Sequence, residues 1–209
     1  TFTFSAADLV SGTENAGFTE VTASSGTLGL SATATAGGAI RQYTAGSPTG
    51  LYIGAITTGP FNTTANMSAP SFGSYALSFD QAITSIMFHI DYLSAGSTGD
   101  EVISNFGTDT GAVSLLASDY TSVNGTSLDV VAQTINTTTG RGQGILSYSA
   151  GAFNSFTFDH TQAPARIGFT ITSITVETAS AVPLPAGLPL LLAGLGAMGI
   201  VRRKARKAA

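Results

Sequence analysis

Along the first 180 residues the apolar positions recur at every second place in short runs, separated by clusters of Gly, Ser, Asn and Pro. Such alternation predicts half-buried strands, because successive side chains of a strand point to opposite faces. The clearest run sets Ile86, Phe88, Ile90 and Tyr92 on one face and Ser85, Met87, His89 and Asp91 on the other. Just before it, Tyr75, Leu77 and Phe79 alternate with Ala76, Ser78 and Asp80. The intervening Asp80-Gln81-Ala82 lets the two runs either pair as a hairpin or cross between sheets. Further strands are predicted over 1–4, 18–23, 27–35, 39–43, 51–53, 102–106, 113–116, 130–135, 145–148 and 153–158. The last stretch, 166–177, holds Ile167, Phe169 and Ile171 in one phase but Ile174 and Val176 in the other. A one-residue slip turns every side chain to the other face, so a bulge or bend is expected near Ser173. About a dozen short strands without an amphipathic helical pattern predict an all-β fold, a β-sandwich or jelly-roll-like ectodomain over 1–180. Residues 54–70 read as a long, mobile loop.

The pattern changes at residue 181. Residues 181–201 are uncharged and mostly apolar, and a basic cluster follows at once. As a helix, roughly 20 residues at ~1.5 Å each would cross a hydrocarbon core of ~30 Å. Pro183, Pro185 and Pro189 argue against helix in the first part, so a C-terminal apolar helix is expected from Leu188 to Val201, about 14 residues. Leu188, Leu190, Leu191, Leu192, Leu195, Ile200 and Val201 form the membrane segment of this reading. Arg202, Arg203, Lys204, Arg206 and Lys207 form a basic stop that stays cytoplasmic, which places the β body outside. The alternative is a buried helix packed on that body. The chain therefore reads as an ectodomain, 1–180, and a C-terminal signal, 181–209.

Charge supports the division. The chain has 209 residues, of which 43% are apolar and only 10% charged, against roughly a quarter charged in ordinary domains. Polar surface must come from Ser, Thr, Asn, Gln and Gly. Residues 1–181 hold three basic residues, Arg41, Arg141 and Arg166, against all twelve acids, a net of −9 without a lysine. So acidic a body is a poor partner for nucleic acid, since phosphate binding needs cations. Cations or neutral polymers such as glycans fit better. No Cys is present, which excludes disulfides and thiolate metal sites. The start, Thr1-Phe2-Thr3-Phe4, is strand-like without Met and reads as a mature N-terminus left by cleavage of an export signal.

Val182-Pro183-Leu184-Pro185-Ala186, then the apolar segment, then Arg202-Arg203-Lys204, resembles the PEP-CTERM class of bacterial sorting signals in its VPLPA variant. The resemblance covers about the last 28 residues. It implies recognition by an exosortase, a membrane cysteine protease-transpeptidase, with processing near the Pro motif after transient anchoring in the inner membrane. It also implies an exported protein, at the cell surface or extracellular, in a bacterium that makes exopolysaccharide in biofilms or flocs. The runs 28–34, 75–83 and 167–176 have the cadence of β-sandwich strands in ectodomains of this class. The class is united by its tail, so the body's function does not follow from it.

Catalytic residues are scarce. The histidines are His89 and His160. His160 and Asp159 are neighbours on a strand and point to opposite faces, while His89 and Asp91 share a face but lie about 7 Å apart. There is no Gly-x-Ser-x-Gly elbow. Both histidines read as surface or loop residues, and no catalytic residue is assigned. Asp91, Asp100 and Glu101, with Asp109 nearby, are candidate ligands for Ca²⁺, which takes several oxygens on flexible loops; no other cofactor is expected. The alternative is a solvated loop that keeps strand edges soluble. Tyr43, Tyr52, Tyr92, Tyr120 and Tyr148 are candidate glycan contacts, although several are expected in the core.

These readings converge on a non-enzymatic surface or matrix protein, associated with extracellular polysaccharide. A self-assembling fibre subunit and a carbohydrate-binding module are the alternatives.

Overall fold

The computed structural model describes residues 1–14, 19–35, 38–43, 49–54, 71–94, 101–122, 128–131, 134–137, 141–162 and 168–179. The chain divides into two compact units, Thr1–Ala179 and Ser180–Ala209. The second lies outside the described residues, as do the apolar helix expected there and all but the first residue of the segment 54–70. The first unit is described by itself.

Among its described residues that unit is all-β apart from one short helix and a 3-10 turn, Ala117–Asp119. In chain order the strands are β1 (Phe2–Phe4), β2 (Thr13–Glu14), β3 (Glu20–Ser25), β4 (Leu28–Thr35), β5 (Ala39–Tyr43), β6 (Gly50–Gly54) and β7 (Ser71–Ser94). They continue with β8 (Val102–Thr108), β9 (Gly111–Ala112), β10 (Tyr120–Ser122), β11 (Leu128–Val131), β12 (Thr134–Thr137), β13 (Arg141–Gln162) and β14 (Phe169–Thr178). All pair antiparallel in one hydrogen-bonded sheet, ordered β11-β12-β8-β13-β7-β14-β6-β5. β4 and β3 attach beside the first half of β7, β1 beside β14, and β10 beside β13.

The spine is the long antiparallel ribbon of β7 and β13. Its register runs from Ser71↔Gln162 to Ser94↔Arg141, with breaks between Ser149 and Phe153 and between Phe153 and Ser155. Buried residues in β7 change phase across the break, from Tyr75, Leu77 and Phe79 to Ile86, Phe88 and Ile90. The two runs of β7 therefore do not form a hairpin. The first pairs with β4 and the second with β14. Rings from the two halves nevertheless meet. Phe88 lies 5.9 Å from Phe156 and 6.3 Å from Phe158, and Phe4 on β1 lies 6.3 Å from Phe79. One apolar cluster, including Phe153, Phe169, Ile171 and Ile174, fills the interior.

The bulge expected near Ser173 is present: Ile171 faces Ile90 and Ser173 faces His89, so Thr172 is the extra residue. Three expectations are corrected. The run 130–135 is not one strand, because Val130 pairs with Ile135 and the chain doubles back between β11 and β12. Residues 113–116 alternate in burial but join no ladder; the Leu116 N–H donates to the Asp119 carboxylate at 2.8 Å and closes a turn instead. A helix is present, α1 (Ala6–Ser11), six residues long. It forms because Ser5 and Asp8 make a capping box: the Ser5 N–H donates to Asp8 Oδ2 at 2.8 Å and the Asp8 N–H to Ser5 Oγ at 3.4 Å. Leu9 anchors the helix in the core. One apolar anchor in six residues leaves no helical period to read.

Candidate functional site

Of the candidate cation ligands, Asp91, Glu101 and Asp109 each accept hydrogen bonds from described residues. Asp91, on β7, accepts from the Gln143 amide at 2.7 Å. Glu101 is fully buried and accepts the Gly168 N–H at 2.7 Å. Gly168 has φ +82°, a backbone that L side chains rarely adopt, and a Cβ there would run into the Ile53 carbonyl. Burial, then the Glu101 charge, pushes the Tyr52 hydroxyl pKa above its ordinary value. Both acids reach the same end of β14, Asp91 opposite Thr170 and Glu101 at Gly168. Asp109 is spent elsewhere. Its carboxylate accepts the N–H groups of Asn154 and Ser155, which hold its pKa low and clasp the bend of β13. Asp100 lies outside the described residues. Among the described residues no three His, Cys, Asp or Glu side chains gather as metal ligands.

The tail residues Val182, Pro183, Leu184, Pro185 and Ala186, the apolar positions from Leu188 to Val201 and the basic cluster from Arg202 to Lys207 also lie outside the described residues. Of the tyrosines, Tyr52 and Tyr120 are buried, and Tyr148 packs on the core. Tyr43 is half-buried, and the side chain of Tyr92 is not described.

The histidines require a correction. His89 is half-buried on β7, as its alternation with Ile90 implies. His160 is neither a surface nor a loop residue. It sits in β13 at 1% exposure, edge-on to Phe169 at 5.0 Å and 6.5 Å from Tyr75. Desolvation drives its pKa down to about 3, so the ring is neutral near pH 7. Among the described residues its Nε2 has no hydrogen-bond partner.

The neighbouring Asp159 points the other way, into a groove on the outer face. Two rows of residues line up across four strands. One row is Thr35, Ser74, Asp159 and Ser104; the other is Thr33, Ala76, Thr157 and Gly107. The groove between β4, β7, β13 and β8 has a volume of about 270 Å³. It is lined by Thr33, Thr35, Ser74, Asn105, Thr157 and Asp159, together with Tyr75, Ala76 and Phe158. Beside it, a Cβ on Gly107 would stand 2.8 Å from Thr157 Oγ1, so a larger residue there would displace the Thr157 side chain.

Asn105 reaches the groove through a bulge. Thr157 pairs with Gly107 but Asp159 with Ser104, so β8 has one residue more than β13 between these pairs. Asn105 takes the left-handed backbone this requires, φ +52°, which Asn tolerates better than most residues. Such bulges re-aim a side chain. Asn105 Nδ2 donates to Asp159 Oδ2 at 2.7 Å, and Ser74 Oγ donates to Asp159 Oδ1 at 2.6 Å. Each carboxylate oxygen thus accepts one fixed donor. An ionised carboxylate has about four lone-pair sites, so acceptor capacity remains for a ligand. Phe72 continues the outward phase of Ser74 and is 48% exposed. It stands opposite Thr161, diagonal to Asp159 at a spacing of ~7–8 Å that aromatic side chains bridge.

Sequence reasoning missed this groove and Phe72. One signal was present. Ile103 and Phe106 are both buried but stand three apart, an odd spacing that marks an extra residue in a strand. Comparison of the chain with protein-family models, with curated proteins and with solved structures yields no match.

Proposed function

We propose that this chain is an exported, non-enzymatic cell-surface or matrix protein, held transiently at the inner membrane and sorted through residues 181–209 by an exosortase-type enzyme. The observation that carries the reading is the order of the tail: Val182-Pro183-Leu184-Pro185-Ala186, an apolar stretch and a terminal basic cluster. Each part has a physical task. Proline disfavours helix, an uncharged apolar stretch favours lipid, and a basic end resists translocation, so the composition of each part suits its proposed task.

The body suits an extracellular matrix of polysaccharide. Its outward positions lining one groove on β4, β7 and β13 are Thr33, Thr35, Ser74, Ala76, Thr157 and Asp159, a surface that can exchange mostly neutral hydrogen bonds with polyols. Its net charge of −9 over residues 1–181 disfavours nucleic acid. We also read the sheet as folded over into a sandwich of the jelly-roll kind. The ring contacts between Phe88 and Phe156 and between Phe4 and Phe79 support that reading, because they join strands from opposite halves of the ribbon.

Fractionation of the native host with intact-mass measurement tests the proposal. The protein is expected in the surface or matrix fraction with a mass that ends near Pro185. Retention in the cytoplasm, or released protein that still carries Arg202 to Lys207, would overturn it.

A further inference from the structure

We infer that the groove centred on Asp159 is a binding site for a neutral sugar residue of a polysaccharide. The inference rests on the matrix association proposed above and assigns that association to a definite place.

The chemistry of the walls selects the ligand class. Hydroxyl groups donate or accept as required, so Thr33, Thr35, Ser74 and Thr157 can match the mixed donors and acceptors of a sugar. Asp159 supplies the one group that must accept, and Ser74 and Asn105 fix its plane. Donor-held carboxylates are suited to receiving neighbouring hydroxyls from a ring, and charge-assisted hydrogen bonds are the stronger kind. Among the described residues no Lys or Arg lines the groove, so a phosphate, sulfate or uronate would meet an acidic site without a cation. A hard cation fits poorly too, because it needs several oxygens whereas the groove has one carboxylate facing two N–H or O–H donors.

Size and position agree with this assignment. A volume of about 270 Å³ lies just under the span of roughly 300–1,000 Å³ typical of drug-sized ligands and suits one ring of a chain that continues across the open face. Tyr75 and Phe158 line the groove but are buried at 3% and 1% exposure, so neither offers an exposed ring face to a sugar. Phe72 supplies one at the end of the groove, where the C–H face of the next sugar can leave water.

Calorimetric titration of the full chain in detergent micelles, with neutral hexasaccharides of glucose, galactose, mannose and xylose, tests the inference; an alginate hexasaccharide is the anionic probe. At least one neutral hexasaccharide should bind and the anionic one should not. Asp159→Asn and Phe72→Ala should each weaken binding tenfold or more, whereas Thr121→Ala, at an exposed position of β10, should leave it unchanged. Amide chemical-shift changes in the unaltered protein should centre on Thr33, Ser74, Asn105 and Thr157, which locates the site without relying on a variant that folds. No neutral binding, preference for the anionic probe, or binding that Asp159→Asn and Phe72→Ala leave intact would overturn it. Failure here with the protein found at the cell surface removes the sugar site but not the sorting proposal; cytoplasmic retention with hexasaccharide binding intact removes the sorting proposal alone.

Discussion

Asp159 and His160 are consecutive in β13 and meet opposite fates. Asp159 faces out, and two short hydrogen bonds hold its carboxylate in place. His160 faces in, among Phe169, Tyr75 and the rest of the aromatic cluster, its Nε2 without a hydrogen-bond partner among the described residues. The difference follows from strand geometry alone, since neighbours project to opposite faces. It teaches that polarity by itself does not assign a task. The outer group is preorganised with acceptor capacity left over, and the inner group is kept neutral by its surroundings.

Acid breaks the comparison with the largest effect. The folded chain does not protonate His160 until about pH 3, whereas an unfolded histidine does so near pH 6.5. Between these values the unfolded state binds more protons, so stability falls as pH falls. The expected slope is about 1.4 kcal/mol per pH unit, and the full loss by pH 3 is on the order of 4–5 kcal/mol. His160→Leu should flatten this limb while changing stability at pH 7 by less than about 1.5 kcal/mol. Urea unfolding from pH 7.5 to 3.5, with both proteins, measures it. Parallel acid limbs would show that other groups set the pH dependence.

A truncation pair sharpens the same comparison three residues back. Phe156 is fully buried against Phe88, Phe106 and Tyr148. Phe156→Ala should cost roughly 3–5 kcal/mol through lost burial and the cavity left behind. Thr157→Ala, facing the groove, should change stability by about 0.5 kcal/mol or less. Chemical denaturation of both variants decides, and comparable losses would place Thr157 in a role the groove does not describe.

How much of this was legible depends on whether the signal was local. The strands were readable wherever burial alternates along one run, and the phase change between Phe79 and Ile86 marked the break in β7. His160 continues the phase of Phe156 and Phe158, so its burial was readable too; the scarcity of catalytic residues drew attention to its chemistry rather than its phase. The groove was not readable. Residues 33, 74, 105 and 159 become neighbours only through the pairing of four strands, and Thr, Ser and Asn are too common in this chain to stand out. The helix α1 escaped because a capping box can be made with Asp in place of Glu. Its contribution can be measured: Ser5→Ala should cost about 0.5–2 kcal/mol in denaturant unfolding, and no loss would mean that Leu9 alone holds the helix.

The smallest predicted stability change separates backbone from side chain on the outer face. Asn105 does two things: it occupies a left-handed backbone position and it orients Asp159. Asn105→Val keeps neither, because a β-branched residue at φ +52° is strained, and it should cost about 1–2 kcal/mol. Asn105→Gly suits the backbone and removes only the amide, so its stability should stay within about 0.5 kcal/mol of the parent. The Asp159 carboxylate then keeps Ser74 as its one fixed donor, and its carboxyl carbon resonance should broaden or shift in the Gly variant although the fold does not. An unchanged resonance with unchanged stability would mean that the bulge serves the backbone path of β8 rather than the groove. A changed resonance without a stability loss would show that the bulge positions a side chain toward solvent, work that the packing of the sheet does not require.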